Sequence, residues 1–232
     1  MFLLFSMLSA IIVAAGSSKR VGFDKLFSKI GNRSVLEHTL AAFEAAESVS
    51  EIIVVCRDLK LVQDVINRAD FRKVRAVVRG GERRQDSVQS GLNAVDQGSE
   101  FVAVHDAARP LITPHEIERV FSVARKHAAA VLAAPITDTL KFADANQVVS
   151  GSIDRQNVFA MQTPQIFRRQ LLKDGYQRVA ENSLTITDEV SAIEYAGGKV
   201  AIVPAEDDNL KITFASDLPI AEFVLQQRVP KA

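Results

Sequence analysis

The sequence predicts a mostly parallel, doubly wound α/β sheet that carries a β-hairpin arm. Two observations predict the sheet: short β-branched apolar runs recur along the 232 residues, and amphipathic stretches of helical period separate them. That alternation places helices on both faces of a parallel sheet. A third predicts the arm: between residues 136 and 164 the alternation stops, and extended, turn-punctuated chain replaces it.

The amino-terminal run MFLLFSMLSAIIVAAG is apolar enough to suggest a secretory segment. No Lys or Arg precedes it, however, and it stops at Gly16, short of the ~20 residues that span a bilayer. Residues 1–6 therefore read as a leader, and residues 8–15, with Ile-Ile-Val at their centre, as a buried parallel strand. Residues 34–46 carry Val35, Leu36, Leu40, Ala41 and Phe43 at near-helical spacing, and 51–56 (EIIVVC) form the next strand. Helical period returns at 59–69, strand at 73–78 and helix at 87–95. A central strand is expected at 100–105 (EFVAVH), a helix opening on a proline at 114–127, and a strand at 129–134. The segment LKFADANQVVSGSIDRQNVFAMQTP supplies D-A-N-Q and S-G-S-I-D turns without helical period, and reads as the arm. Helices at 168–181 and 187–196, a strand at 199–204 and a helix at 216–228 complete one domain over residues 1–232.

Composition narrows the function. Apolar residues make up 47% and charged residues 24%, with 11 Gly and 7 Pro, so the chain can bury a core and is neither disordered nor fibrous. Lys+Arg and Asp+Glu balance at 28 each, which removes the global field that a non-specific nucleic-acid or anionic-membrane binder needs. Any anionic ligand must be held locally. The single Cys56 cannot form an intrachain disulfide and points to a reducing, cytoplasmic setting. The four histidines lack H-E-x-x-H spacing, which excludes the usual zinc hydrolase pattern.

Parallel sheets bind ligands at the carboxyl ends of their strands, so the loop AAGSSKRVGFDK after the first strand is the first candidate ligand site. It forms neither G-x-G-x-x-G nor G-K-[ST]. Small residues ending in Lys19, Arg20 and Lys25 suit a triphosphate met by side-chain cations. Read alone, the loop fits a solvated turn with surface bases equally well. GGERRQDS (80–87) suits edge-on contact with a base and ribose, or a plain helix amino end. HDAARP (105–110) puts Asp106 and Arg109 at a strand rim, where an Asp could also cap a helix. TPQIF, TDE and DDNLKIT add polar groups at further element boundaries.

Together, AAGSSKR…DK, VLEHTL, GGERRQDSVQSGL, VHDAARP, PITDTLK, DR, QTPQIF, TDEVSA and NLKIT resemble, in order and spacing, the 2-C-methyl-D-erythritol 4-phosphate cytidylyltransferase family. The resemblance covers nearly the whole chain. It implies a Rossmann-like nucleotidyltransferase sheet, transfer of CMP from CTP to a methylerythritol phosphate, and Mg²⁺ or another divalent cation held mainly by substrate phosphates. It also implies a homodimer whose arm, residues 136–164, reaches the neighbouring site. By the same resemblance, Ala14, Ala15, Gly16, Gly81, Glu82 and Ser87 would hold the cytidine, and Arg20 and Lys25 would stabilise charge at the α-phosphate. Asp106 and Ala107 match positions near ribose, metal and acceptor, with Asp106 the candidate metal ligand. Arg109, Thr139, Arg155, Thr163 and Lys211 match the acceptor set, Arg155 and Lys211 being counted with the catalytic cations.

Three departures touch affinity more than chemistry: Asp24 where the family commonly has proline, Ala215-Ser216 where it has an acidic residue, and Glu82 where some members have aspartate. An anionic phosphate nucleophile needs no general base, so His105 is given a structural or orienting part, and His38, His115 and His127 none. Two other readings compete: a cytidylyltransferase for another polyol phosphate such as ribitol 5-phosphate, and a non-catalytic nucleotide-binding module, which the retained cations oppose.

Overall fold

A computed structural model of the chain describes residues 8–16 and 24–228. The elements, in chain order, are β1 (Leu8–Ala14), a small hairpin β2 (Lys29–Ile30) and β3 (Arg33–Ser34), α1 (Val35–Ala45), β4 (Val49–Cys56), α2 (Leu59–Ala69), β5 (Val74–Arg79) and α3 (Arg84–Ala94). They continue as β6 (Phe101–Asp106), α4 (Pro114–His127), β7 (Ala129–Pro135), β8 (Lys141–Ala143), β9 (Val149–Ser152), β10 (Phe159–Arg168), α5 (Arg169–Glu181), α6 (Glu189–Tyr195), β11 (Ala201–Pro204) and α7 (Asp217–Arg228).

Local chemistry sets many of these bounds. Ser34 caps α1 in a reciprocal box with Glu37, and the side chains of Asp58 and Thr113 accept from the third residues of α2 and α4. Pro114 occupies the first turn of α4, where its missing N–H costs nothing.

Seven strands form the main sheet in the order β11-β7-β10-β6-β1-β4-β5. β1 runs parallel to β4 and β6, β4 to β5, and β7 to β11. The expected doubly wound, mostly parallel sheet is therefore observed. Alternation along β1 divides the core: Ala10, Ile12 and Ala14 join the layer under α1, α2 and α4, whereas Ile11 and Ala15 join the layer under α3, α5 and α6.

One strand differs from the sequence reading. Residues 159–164, assigned there to the arm, begin β10, which lies antiparallel between β6 and β7. The pairs Phe159↔Pro135, Ala160↔Ala134 and Met161↔Ala133 tie its first part to β7. The exposed pair β8 and β9 forms a separate two-stranded sheet. β10 is also irregular: Met161 opposes Ala133 but Gln165 opposes Val131, so four steps along β10 face two along β7. The surplus falls at Gln162, Thr163 and Pro164, the last following a cis peptide bond.

Gly91 brings α3 close to the sheet. A Cβ there would lie 2.5 Å from Ile11 Cγ2 and 2.9 Å from Val55 Cγ2, both on stiff β-branched side chains. Gly91→Ala gains about 1 kcal/mol of helix propensity but forces strand and helix apart, and overpacking costs about 1–3 kcal/mol. With both contacts under 3.0 Å the cost falls at the upper end, about 2–3 kcal/mol, so a net destabilisation of about 1–2 kcal/mol is expected from denaturant midpoints. A variant as stable as the parent would show that the helix can retreat freely.

Candidate active site

The chain leaves β1 toward β4 and β5 on one side, then crosses to β6 on the other, so the order reverses between β1 and β6. A crevice opens there at the carboxyl ends of the strands. Its two lips stay close: Ala107 N–H donates to Val13 O at 3.0 Å, and Thr39 Oγ1 donates to Ala107 O at 2.9 Å. The loop before α3 joins them through Gly80, whose hypothetical Cβ would lie 2.4 Å from Ala15 Cβ and 2.8 Å from Ser87 Oγ. Glycine alone fits. Ser87 in turn accepts from Gly81 N–H at 3.1 Å, so Ala14, Ala15, Gly81 and Ser87 share one wall.

Charge concentrates on the adjoining wall, in a cavity of about 150 Å³ whose lining includes Arg84, Asp106, Arg109, Thr163, Asp188 and Lys211. Asp106 accepts from Arg84 Nε at 3.2 Å on one oxygen and from Lys211 Nζ at 2.6 Å on the other. Burial alone would raise its pKa, but Arg84 and Lys211 hold the carboxyl far below the usual range. Burial opposes the charge on Arg84 as well, and Glu189 with Asp106 more than restores it. At Arg109 the balance goes the other way: burial lowers its pKa despite Asp106. Its Nη1 donates to Asn209 O at 2.7 Å, while its buried Nε has no acceptor among the described residues. An incompletely matched cation lining a cavity suits an incoming anion.

His105 is wholly buried behind this wall. Its Nε2 lies 3.3 Å from Arg109 O and its Nδ1 3.1 Å from Thr163 Oγ1. A carbonyl only accepts, so the network assigns the proton to Nε2, and Nδ1 accepts from Thr163, whose oxygen receives Asp106 N–H at 3.1 Å. Burial pushes the imidazole pKa down to about 3. His105 is thus a neutral support of the Asp106–Arg109 turn, its Nδ1 already taken by Thr163. Asn209 pins the bulge of β10, donating to Gln162 Oε1 and Thr163 O at 3.0 and 2.9 Å.

The structure gathers Asp106, Ala107, Arg109, Thr163 and Lys211 at the crevice, with Ala14, Ala15, Gly81 and Ser87 beside them. Gly16 and Glu82 are exposed at its edge, and Lys25 is half-buried. Arg20 lies outside the described residues. Thr139 and Arg155 are exposed on the arm, where Arg155 donates to Thr137 O; neither lines the cavity of its own chain. Arg84, Gln165, Asp188, Glu189 and Asn209 were not singled out from the sequence, although Arg84 stands inside GGERRQDS and Glu189 inside TDE. A larger open groove of about 720 Å³ along α5 and α6 holds none of the sequence-derived residues.

Among the described residues, no three His, Cys, Asp or Glu side chains come together as a metal cage. Asp106 and Asp188 are the carboxylates in the cavity lining, a donor set that fits Mg²⁺, which is commonly held by one or two carboxylates and by substrate phosphates.

A doubly wound sheet whose switch-point crevice joins a glycine-containing loop to a cluster of three cations has the make-up of a nucleotidyltransferase. The profile of the 2-C-methyl-D-erythritol 4-phosphate cytidylyltransferase family matches residues 8–227. The chain is 36% identical to the protein of that name from Alkaliphilus metalliredigens over 228 residues, 96% of this chain and 95% of the relative. It is 37% identical to that from Alkaliphilus oremlandii, with 95% of each covered. The solved 4-diphosphocytidyl-2C-methyl-D-erythritol synthase of Anaerococcus prevotii matches with a TM-score of 0.84 at 32% identity, covering 96% of this chain and 97% of that one. The Thermus thermophilus cytidylyltransferase matches at 0.78 and 29%, covering 95% and 99%. The chain belongs to the 2-C-methyl-D-erythritol 4-phosphate cytidylyltransferase family.

The histidine gives a pH prediction. With a folded pKa near 3 and an unfolded value of about 6.5, the unfolded chain binds the extra proton first. Stability is therefore lost as pH falls below about 6.5, on the order of 2 kcal/mol by pH 5 from this residue alone. Denaturant titrations of the parent and His105→Gln between pH 7 and 5 should show a flatter dependence in the variant. Parallel curves would contradict a buried neutral imidazole.

Proposed function

We propose that the chain transfers CMP from CTP to the phosphate of 2-C-methyl-D-erythritol 4-phosphate, releasing pyrophosphate and forming 4-diphosphocytidyl-2-C-methyl-D-erythritol. The observation that carries this reading is the convergence of Arg84, Arg109 and Lys211 on Asp106 at the switch point, in a chain that aligns with its named relatives almost end to end.

The acceptor phosphate is already an anionic nucleophile, so positioning and charge stabilisation dominate. Ala14, Ala15, Gly16, Gly81, Glu82 and Ser87 bind the cytidine, with Ala107 beside the ribose. Arg20 and Lys25 stabilise charge growing on the α-phosphate oxygens. Arg109, Thr139, Thr163 and Lys211 hold the acceptor in line, Lys211 by turning from Asp106 to the phosphate. Mg²⁺ or another divalent cation, held chiefly by triphosphate oxygens with Asp106 as its carboxylate, would neutralise the departing pyrophosphate. No helix among the described residues is long and apolar enough to cross a membrane, and we place the reaction in the cytoplasm.

A coupled pyrophosphate-release assay tests the reading, with CTP and methylerythritol phosphate in one arm and ribitol 5-phosphate in another. Turnover is expected with the first acceptor, and at least ~10³-fold slower with UTP in place of CTP, because a mismatched base leaves fixed donors unpaired. Lys25→Ala and Arg20→Ala should each lower kcat by ~100-fold or more. Preference for ribitol 5-phosphate, or near-normal turnover in either variant, would contradict these assignments.

We further propose a homodimer in which the arm's Arg155 serves the partner's acceptor site. A two-stranded hairpin is marginal alone in water, and this one exposes Phe142, Val148 and Val149, apolar surface that a second copy would cover. Mixing inactive Arg155→Ala and Lys25→Ala proteins under conditions of subunit exchange separates the cases. Action in trans gives heterodimers with one intact site and activity near half of wild type per dimer. Action in cis leaves every site defective and the mixture inactive.

A further inference from the structure

Glu189, in the first turn of α6, is fully buried and has no part in the reaction as assigned above. Its carboxylate accepts from Arg84 Nη1 and Nη2 at 2.7 and 3.0 Å and from the Tyr176 hydroxyl at 3.0 Å. Its main-chain N–H and that of Val190 donate to Gln165 Oε1 at 3.1 and 3.2 Å, which fixes the helix end against β10. Burial and the neighbouring Glu189 raise the Tyr176 pKa well above its ordinary value, so the phenol remains a donor.

Glu189 thereby holds Arg84 at two of its five N–H bonds, and Nε to Asp106 makes a third. The residues Tyr176, Glu189, Arg84, Asp106 and Lys211 form one chain in which, after the neutral phenol, negative and positive groups alternate. Only its last member is substantially exposed, the Lys211 side chain at 43% against 26% for Arg84 and 12% for Asp106. Lys211 is therefore the member able to move. Once it turns to an incoming phosphate, Asp106 keeps Arg84 as its direct side-chain partner, and the orientation of the carboxylate then depends on how firmly Arg84 is itself held.

We propose that Glu189 is a positioning residue for the acceptor end of the site: it clamps Arg84 so that the Asp106 carboxylate is held in place while Lys211 moves to the acceptor phosphate. The proposal rests on the function assigned above. A purely structural Glu189, joining α6 to α5 and α3, would change stability and disturb both substrates alike.

The test uses full-length Glu189→Gln, Arg84→Met and the double variant, with kcat and both KM values measured. Glu189→Gln keeps the shape and removes the charge. It should lower kcat ~30-fold and raise the acceptor KM ~10-fold, with the CTP KM within about twofold. In the Arg84→Met background the same change should cost less than about threefold, because its effect runs through Arg84. Equal losses in both backgrounds, or parallel shifts in both KM values, would overturn the proposal. Should Glu189→Gln or Arg84→Met fail to melt cooperatively, Tyr176→Phe, which leaves the ion pair intact, should reduce kcat about threefold at constant CTP KM; unchanged kinetics there overturns it. If wild type uses a different polyol phosphate, the acceptor assignment falls while the same cycle on that acceptor still decides the role of Glu189. No pyrophosphate release with any acceptor removes both.

Discussion

The reversal of strand order between β1 and β6 is the constraint on which the rest depends. Two parallel neighbours whose chains depart in opposite directions cannot close the space above their carboxyl ends, because no loop connects them across it. In this chain the opening is kept narrow by the main-chain bond from Ala107 to Val13 and by Gly80 sliding past Ala15. Loops that are distant in sequence, from residue 14 to residue 211, therefore contribute to one small volume without any being long.

Within that volume the charges are organised by burial. Asp106 and Glu189 would each be costly alone in the sheet's interior, and Arg84 between them satisfies both. Lys211 approaches from the solvent side and completes Asp106. Two cations are thus engaged by carboxylates, while Arg109 keeps an unmatched donor. Of the cations in this group Lys211 reaches solvent most, its side chain 43% exposed against 26% for Arg84.

Much of the scaffold was legible because its signals are local. The helices at 59–69 and 114–127 fall where the helical period of the first and the opening Pro114 of the second indicate. β10 was not legible in the same way. Its partners are β6 and β7, its side chains carry no clean alternation, and Pro164 argues against a central strand. The site divided similarly. Glycines, exposed lysines and strand-end acids advertise themselves by type and position, and Asp106, Arg109 and Lys211 are together as expected. Arg84 read as part of a helix amino end and Glu189 as one of the polar groups at an element boundary, since a buried ion pair 105 residues apart becomes visible only when both partners are placed.

The bulge in β10 has a consequence for the arm. Pro135 and Phe159, the residues where the arm leaves and rejoins the sheet, are ladder partners, and Thr163 follows on the same strand within a few residues. The root of the arm and the floor of the crevice are therefore one piece of backbone. Four steps opposing two give an excess of two residues, and two is the period of a strand. Parity is conserved: the arm side and the core side of β10 present the same faces across the interruption, so Gln162 and Thr163 are looped out toward the crevice without inverting either half. An excess of one would have turned the arm's root inside out relative to the core.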